Sequence, residues 1–365
     1  MDAIYEKLAR HLGRLSMGYP YNEALPELLA EMFTPDEAAV ALAIPADLVP
    51  LEAVDADTIA QDSGLDPQQT AAVLQELAAR RVIYSAPLPG GGTGYALLQV
   101  GYGMPQTFFW GGEQDDRARL MAKRVLKYFT VPTTEAVYGG SPTKAFKYLP
   151  AGLAVDMPRQ GVLPQEEMAP IVQAADKIAV AHCPCRMSAR LLGRTDCRHP
   201  LEVCLKYDEM AEFVLDKGLA RPISADEAMA LLEQCERDGL VHMVDNAADG
   251  IKHTCNCCGH YCWNVGIIAR RKIPRDVLMA VYFIRHTDED LCLGCEACFD
   301  ICPVDVLHLN DDGVAEIDPD WCIGCGVCAT VCPADAISIV RRIEEPSPPD
   351  FRTLHAQIAS ERPEP

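Results

Sequence analysis

One spacing is written twice near the C-terminus. Cys292, Cys295, Cys298, Cys302 and Pro303 return thirty residues later as Cys322, Cys325, Cys328, Cys332 and Pro333, each run reading C-x2-C-x2-C-x3-C-P. Cysteines this close curl the backbone into a tight loop whose sulfurs converge. Thiolate is the softest donor a chain offers, so convergent thiolates select a soft metal. Gly294 and Gly324 lie inside the loops, where crowding favours a residue without a Cβ. Cys298 and Cys302 stand about one helical turn apart, so a short helix can carry the fourth cysteine away. Pro303 and Pro333 then stop that helix.

The copies match beyond cysteine: Leu293 with Ile323, Ile301 with Val331, Asp305 with Asp335, Leu307 with Ile337. Leu307–Asn310 and Val314–Ile317 read as two short strands around the turn Asp311-Asp312-Gly313. Zinc knuckles or a disulfide scaffold are the alternatives, and two identical sets ending in Cys-Pro argue against both. The spacing is one that holds [4Fe–4S] clusters. Residues 287–345 resemble bacterial-type 2[4Fe–4S] ferredoxin domains. That resemblance implies electron transfer and crossed ligation: one cluster on Cys292, Cys295, Cys298 and Cys332, the other on Cys322, Cys325, Cys328 and Cys302.

Bulk numbers bound the rest. At 365 residues the chain has room for two or three domains. Seventeen cysteines would suggest disulfides in a small secreted domain, but eight are already assigned. No signal segment or long apolar run is read, so the expectation is a cytoplasmic protein of a reducing, anaerobic setting without membrane insertion. Formal charge is −21. Residues 287–345 hold fourteen acids against Arg341 and Arg342, a net of −12. This argues against nucleic acid, which needs cations, and suits docking on the basic patch of a redox partner protein.

Residues 1–100 read as a helical scaffold domain with a wing. One short helix begins at Asp57-Thr58 and ends near Gly64; Asp66-Pro67 caps the next. Arg81–Tyr84 and Tyr95–Leu98 read as strands around a tip at Gly90–Gly94. The order is similar to a winged helix-turn-helix, but the presumed recognition helix opens Asp66-Pro67-Gln68-Gln69, without a cation, which favours docking over DNA reading. Residues 101–180 read as a connecting helical and irregular segment. It contains a basic group (Arg117, Arg119, Lys123, Arg124, Lys127, Lys144, Lys147) and a Gly/Pro-rich stretch from Gly139 to Pro164.

Residues 181–275 carry eight further cysteines: Cys183, Cys185, Cys197 and Cys204, then Cys255, Cys257, Cys258 and Cys262, flanked by His182, His199, His253 and His260. Clustered thiols repel as thiolates unless a metal neutralises them. One or two further iron–sulfur clusters lead, zinc is the alternative, and a redox-active dithiol comes third. Cys235 reads as a buried free thiol. The order His-Cys-x-Cys-Arg, Cys, Cys-Leu, Cys-Asn-Cys-Cys over 175–345 resembles anaerobe iron–sulfur proteins of the 4Fe–4S ferredoxin or dicluster type. Arg186, Arg190, Arg194 and Arg198 recur every four residues after Cys185, one helical face. With Arg270, Arg271, Lys272 and Arg275 they set a basic balance around the thiols. The Pro-rich residues 346–365 read as a mobile tail.

The expectation is an α+β chain: a winged-helix-like N-terminal domain, a cysteine-rich α/β middle domain and a ferredoxin-like 2[4Fe–4S] domain. Its function would be iron–sulfur electron transfer within an anaerobic oxidoreductase system, without a nicotinamide or flavin site. The alternatives are a redox-sensing winged-helix regulator and a reductase acting at Cys183–Cys262. No catalytic residue is assigned.

Overall fold

The computed structural model describes residues 2–152 and 167–362, and mixes helix and sheet throughout. The Gly/Pro-rich stretch beyond residue 152 lies outside the described residues, as do 363–365.

Local chemistry sets the N-terminal elements. Thr34 and Glu37 form a reciprocal capping box on the helix Pro35–Ala43. Asp55 caps Ala56–Ser63, which stops at Gly64 with φ +69. Asp66 accepts from the Gln69 amide 2.8 Å away, and Pro67 opens the helix Pro67–Ala79. A small sheet follows in the order Val54–Asp55, Thr93–Ala96, Tyr84–Pro87. Both longer strands are displaced from the expected positions. Arg81 turns the chain with φ +63, so the first strand starts only at Tyr84.

An antiparallel six-stranded sheet occupies the middle of the chain. Its order is Phe146–Leu149, Val241–Asp245, His253–Cys257, Glu202–Tyr207, Ile178–His182, Arg221–Pro222. The segment expected to connect thus supplies an edge strand, Phe146–Leu149, paired with Val241–Asp245. Of the basic group within it, Arg117, Arg119, Lys123, Arg124 and Lys127 lie in the helix Asp116–Tyr128, all but Arg124 exposed. Arg124 binds Glu27 and Glu31, Lys127 binds Glu27, and Lys147 is buried with its amine on the Ala247 carbonyl. The arginine ladder breaks. The helix Pro184–Leu191 is ended by Gly193 at φ +79, so Arg194 and Arg198 lie beyond it.

In the C-terminal segment Phe283–Thr287 pairs antiparallel with Ile337–Arg341. The expected hairpin is present, Leu307–Leu309 against Ala315–Ile317. Residues 351–361 are not a mobile tail. They form the helix Phe351–Glu361, capped by Asp350, with Phe351, Leu354, His355 and Ile358 buried. The Pro-rich composition before it masked an apolar pattern at helical spacing. One apolar core runs from Leu8 and Leu28 through Val180, Leu205 and Val244 to Val304, Ile323 and Leu354. Among the described residues no helix is long and apolar enough to cross a membrane.

Candidate metal centres

The duplicated runs fold as near copies. Cys298 lies in the helix Ala297–Ile301 with Cys302 at its end; Cys328 lies in the 3-10 turn Val327–Val331 with Cys332 at its end. The loop glycines are required by a neighbouring backbone. A Cβ on Gly294 (φ +62) would lie 2.5 Å from the Gly313 carbonyl oxygen, and one on Gly324 (φ +63) 2.1 Å from that of Phe283.

The two runs interleave. Cys302 lines one cavity with Cys322, Cys325 and Cys328. Cys292, Cys298 and Cys332 share a second small core with Cys328, Leu307 and Ile337, and Cys295 is exposed. Amides point at the sulfurs: Ala315 donates to Cys292 and Ala336 to Cys332, each at 3.4 Å. The Ala315 and Gly294 amides hold Cys292 below the usual thiol range. Burial pushes Cys302 up, Cys325 well up and Cys328 up to about 12. Thiols raised by enclosure ionise only when a cation replaces the lost solvation, so this donor set fits a thiolate-bound metal cluster.

Seven of the eight middle cysteines, Cys183, Cys185, Cys204, Cys255, Cys257, Cys258 and Cys262, line one cavity, with Arg186, Lys206, His253 and Asn256 among them. Six of them, all but Cys258, are joined by bonds between their thiols. They come from the strands Glu202–Tyr207 and His253–Cys257, the start of the helix Pro184–Leu191 and the loop after Cys257, which is why distant stretches of chain converge. The Trp263 amide donates to Cys185 at 3.5 Å and the Asn264 amide to Cys262 at 3.4 Å. The six thiols hold one another in two states. The hydrogen bond from Cys185 brings Cys183 down to about 7. Bonds from Cys204 and Cys257 hold Cys255 well below the usual range, and bonds from Cys185 and Cys257 do the same for Cys262. Cys185 is pushed well up by burial, Cys204 and Cys257 by their bonds to Cys255. Full ionisation therefore needs added positive charge, which again fits a metal.

Arg186 is the cation the chain itself brings. It is 1 % exposed. Burial opposes its charge, but Cys183, Cys258 and Cys197 outweigh it and raise its pKa. One of its nitrogens donates to the Asn256 carbonyl at 3.1 Å. Sequence reasoning missed Lys206, buried under the Trp110 ring at 4.4 Å. Its one sequence signal is a lysine amid the apolar residues of Glu202–Tyr207. Cys197 lies outside that cavity lining and faces Cys258 on its edge, their sulfurs 3.8 Å from each other. Cys235 is fully buried beside them, its thiol pushed up to about 12 by burial. His182 bonds with the Trp110 carbonyl at 3.2 Å, and His253 lies 3.2 Å from Asp245.

The remaining arginines stitch the two thiol regions together. Arg275 donates to the carbonyls of Pro319 and Cys322, and Arg271 to those of Val304 and Asp305. The Ala151 amide donates to the Cys325 carbonyl at 2.9 Å. Gly259 lies so close to the second region that a Cβ there would stand 2.1 Å from the Pro303 carbonyl oxygen. Burial, followed by the charges of Cys262, Cys257 and Cys325, pushes the Tyr148 hydroxyl well up, so Tyr148 is within electrostatic reach of both regions.

Comparison with known proteins bears on the C-terminal region. A stretch of 34 residues, 9 % of this chain, is 50 % identical to a protein of Methanosarcina thermophila described as "Probable ferredoxin". The chain spans 59 % of that relative's length. Residues 285–339 match the family described as 4Fe-4S dicluster domain, which supports two [4Fe–4S] clusters and iron–sulfur electron transfer in this part of the molecule.

Proposed function

We propose that the whole chain is an electron-transfer component of an anaerobic oxidoreductase system, taking electrons from one protein partner and giving them to another. Bound [4Fe–4S] clusters supply one-electron chemistry. The residues hold them, exclude water and set their charge. Cys292, Cys295, Cys298 and Cys332 hold one cluster; Cys322, Cys325, Cys328 and Cys302 hold the other. The observation that carries this pairing is the cavity that Cys302 lines with the second run. Four of the thiols Cys183, Cys185, Cys204, Cys255, Cys257 and Cys262 hold a further [4Fe–4S] cluster in the middle sheet. The contacts at Gly259, Ala151 and Tyr148 support close communication between the two regions.

The N-terminal residues 1–100 serve as a winged-helix-like docking scaffold. The order strand, helix, helix, strand, strand supports that shape. The exposed positions of Pro67–Ala79 include Gln68, Gln69, Gln75 and Glu76 and carry no cation. Arg80 and Arg81 are engaged by Glu37 and Glu113 at 2.5 and 2.6 Å. That helix and the two arginines after it leave little to neutralise phosphates.

Anaerobic iron and sulfide counting on the purified chain tests the proposal. More than about eight irons are expected, since two four-iron clusters account for about eight. A count at or below that number removes the middle cluster. Cys302→Ser should damage the cluster signal that depends on Cys322, Cys325 and Cys328. Loss confined to the Cys292 cluster would reverse the pairing.

A further inference from the structure

We propose that Cys197, Cys258, His260 and His199 bind a single zinc-class divalent ion at the edge of the thiol cavity, whose wall Cys258 shares. Two observations set these residues apart from cluster ligands. The first is the sulfur spacing. Cys197 and Cys258 place their sulfurs 3.8 Å apart. Two thiolates at about 2.3 Å from one tetrahedral ion stand about 3.8 Å from each other. In a cubane each iron takes one cysteine, so the sulfurs of neighbouring ligands stand further apart.

The second is the histidine. Cys197 Sγ, Cys258 Sγ and a ring nitrogen of His260 all lie within 4.8 Å of one another. Among the described residues no other three His, Cys, Asp or Glu side chains meet that spacing. The His199 ring lies 5.8 Å from the His260 ring, centre to centre. Two imidazoles bound at about 2.0–2.1 Å to one tetrahedral ion stand about 5 Å apart, so a small rotation brings His199 into the fourth position. The His199 amide already donates to the Cys197 sulfur, the kind of outer contact that orients a ligand.

The site has a place in the fold. Cys197 lies in the loop between Leu191 and Glu202, outside helix and strand. Cys258 and His260 follow the strand His253–Cys257. An ion here would pin an otherwise irregular loop to the sheet that carries the thiol cavity. Both sulfurs are buried, at 3 % and 1 % exposure, while His260 is exposed. The ion would therefore sit at the protein surface with its sulfur side inward. Two thiolates and two neutral imidazoles balance a divalent charge.

This rests on the proposal that the cavity cysteines hold iron, and the test separates the two. The full-length chain is purified anaerobically with zinc supplied, and zinc and iron are counted together. About one zinc per chain is expected beyond the iron, with X-ray absorption giving two sulfur and two nitrogen neighbours. Cobalt exchanged into the site should show tetrahedral cobalt–thiolate absorption bands. His260→Ala, at an exposed position, and Cys258→Ser should each lose zinc and keep the wild-type iron count. Absence of zinc, an all-sulfur shell, or loss of about four irons in either variant overturns the proposal and returns the pair to a cluster. A low iron count with zinc retained would sink the cavity cluster and leave the zinc site standing.

Discussion

At the level of single residues the cysteines were legible from spacing alone, because ligand geometry is local. The partners around them were not. Lys206 lines the same cavity as the thiols, Asn256 bonds across strands to Val203 and His242, and pairing of strands is not written in either neighbour. The meeting of Cys258 with Cys197 was equally hidden, since Cys257 and Cys258 are adjacent in sequence, yet Cys257 bonds to Cys255 and Cys262 and Cys258 faces Cys197. Gly324 gives the sharpest test at this level. A methyl there meets the Phe283 carbonyl oxygen at φ +63. Gly324→Ala is expected to cost about 1–3 kcal/mol, read as earlier bleaching of the iron–sulfur absorption in a denaturant titration. Gly90→Ala, with nothing within 4 Å of the added carbon, should match wild type. Equal behaviour of the two variants would refute the backbone argument.

At the level of elements, Asp66-Pro67 placed the start of one helix, Gly64 the end of the one before it, and the hairpin turned at Gly313. The C-terminal helix was missed because its prolines were weighed and its apolar period was not. It is held by polar groups as well as packing. Burial raises Glu361, but hydrogen bonds from Ser141, Thr143 and Gln357 bring it down to about 2. His355 is brought down to about 3, chiefly by burial, and bonds with Tyr102 at 2.9 Å. Both shifts act in the same direction. Below its ordinary 6.5, the unfolded His355 binds a proton that the folded one refuses until about 3. The Glu361 contribution is complete above its ordinary 4.5 and is lost as pH falls through about 2. Stability should therefore fall between about pH 7 and 5, from His355 first. The denaturation midpoint should fall less over that range in His355→Gln; an unchanged slope would clear the histidine. Leu354→Ala, fully buried in the same helix, should cost about 2–5 kcal/mol in the same measurement.

At the level of the whole molecule, charge was readable and layout was not. The net −12 of residues 287–345 predicts association with basic redox proteins that slows steeply as salt is raised. Stopped-flow mixing with a cationic electron donor measures this, and a salt-independent rate would remove the electrostatic account. Anisotropy titration of the full chain against duplex DNA should stay weaker than about 10⁻⁴–10⁻⁶ M at physiological salt. Salt-sensitive submicromolar binding would restore a regulatory reading. The sequence divided the chain at residues 100, 180 and 275, yet the middle sheet takes a strand from before residue 180. The contact of Gly259 with Pro303 extends this to the part that looks most portable. Residues 285–339, which match the family described as 4Fe-4S dicluster domain, have the outline of an interchangeable cartridge. Here one face of the cartridge is shaped by a bare backbone position and bolted down by Arg271 and Arg275. A transplanted ferredoxin would fit only if it kept that flat face, and this one, cut free, would expose a side never finished for water.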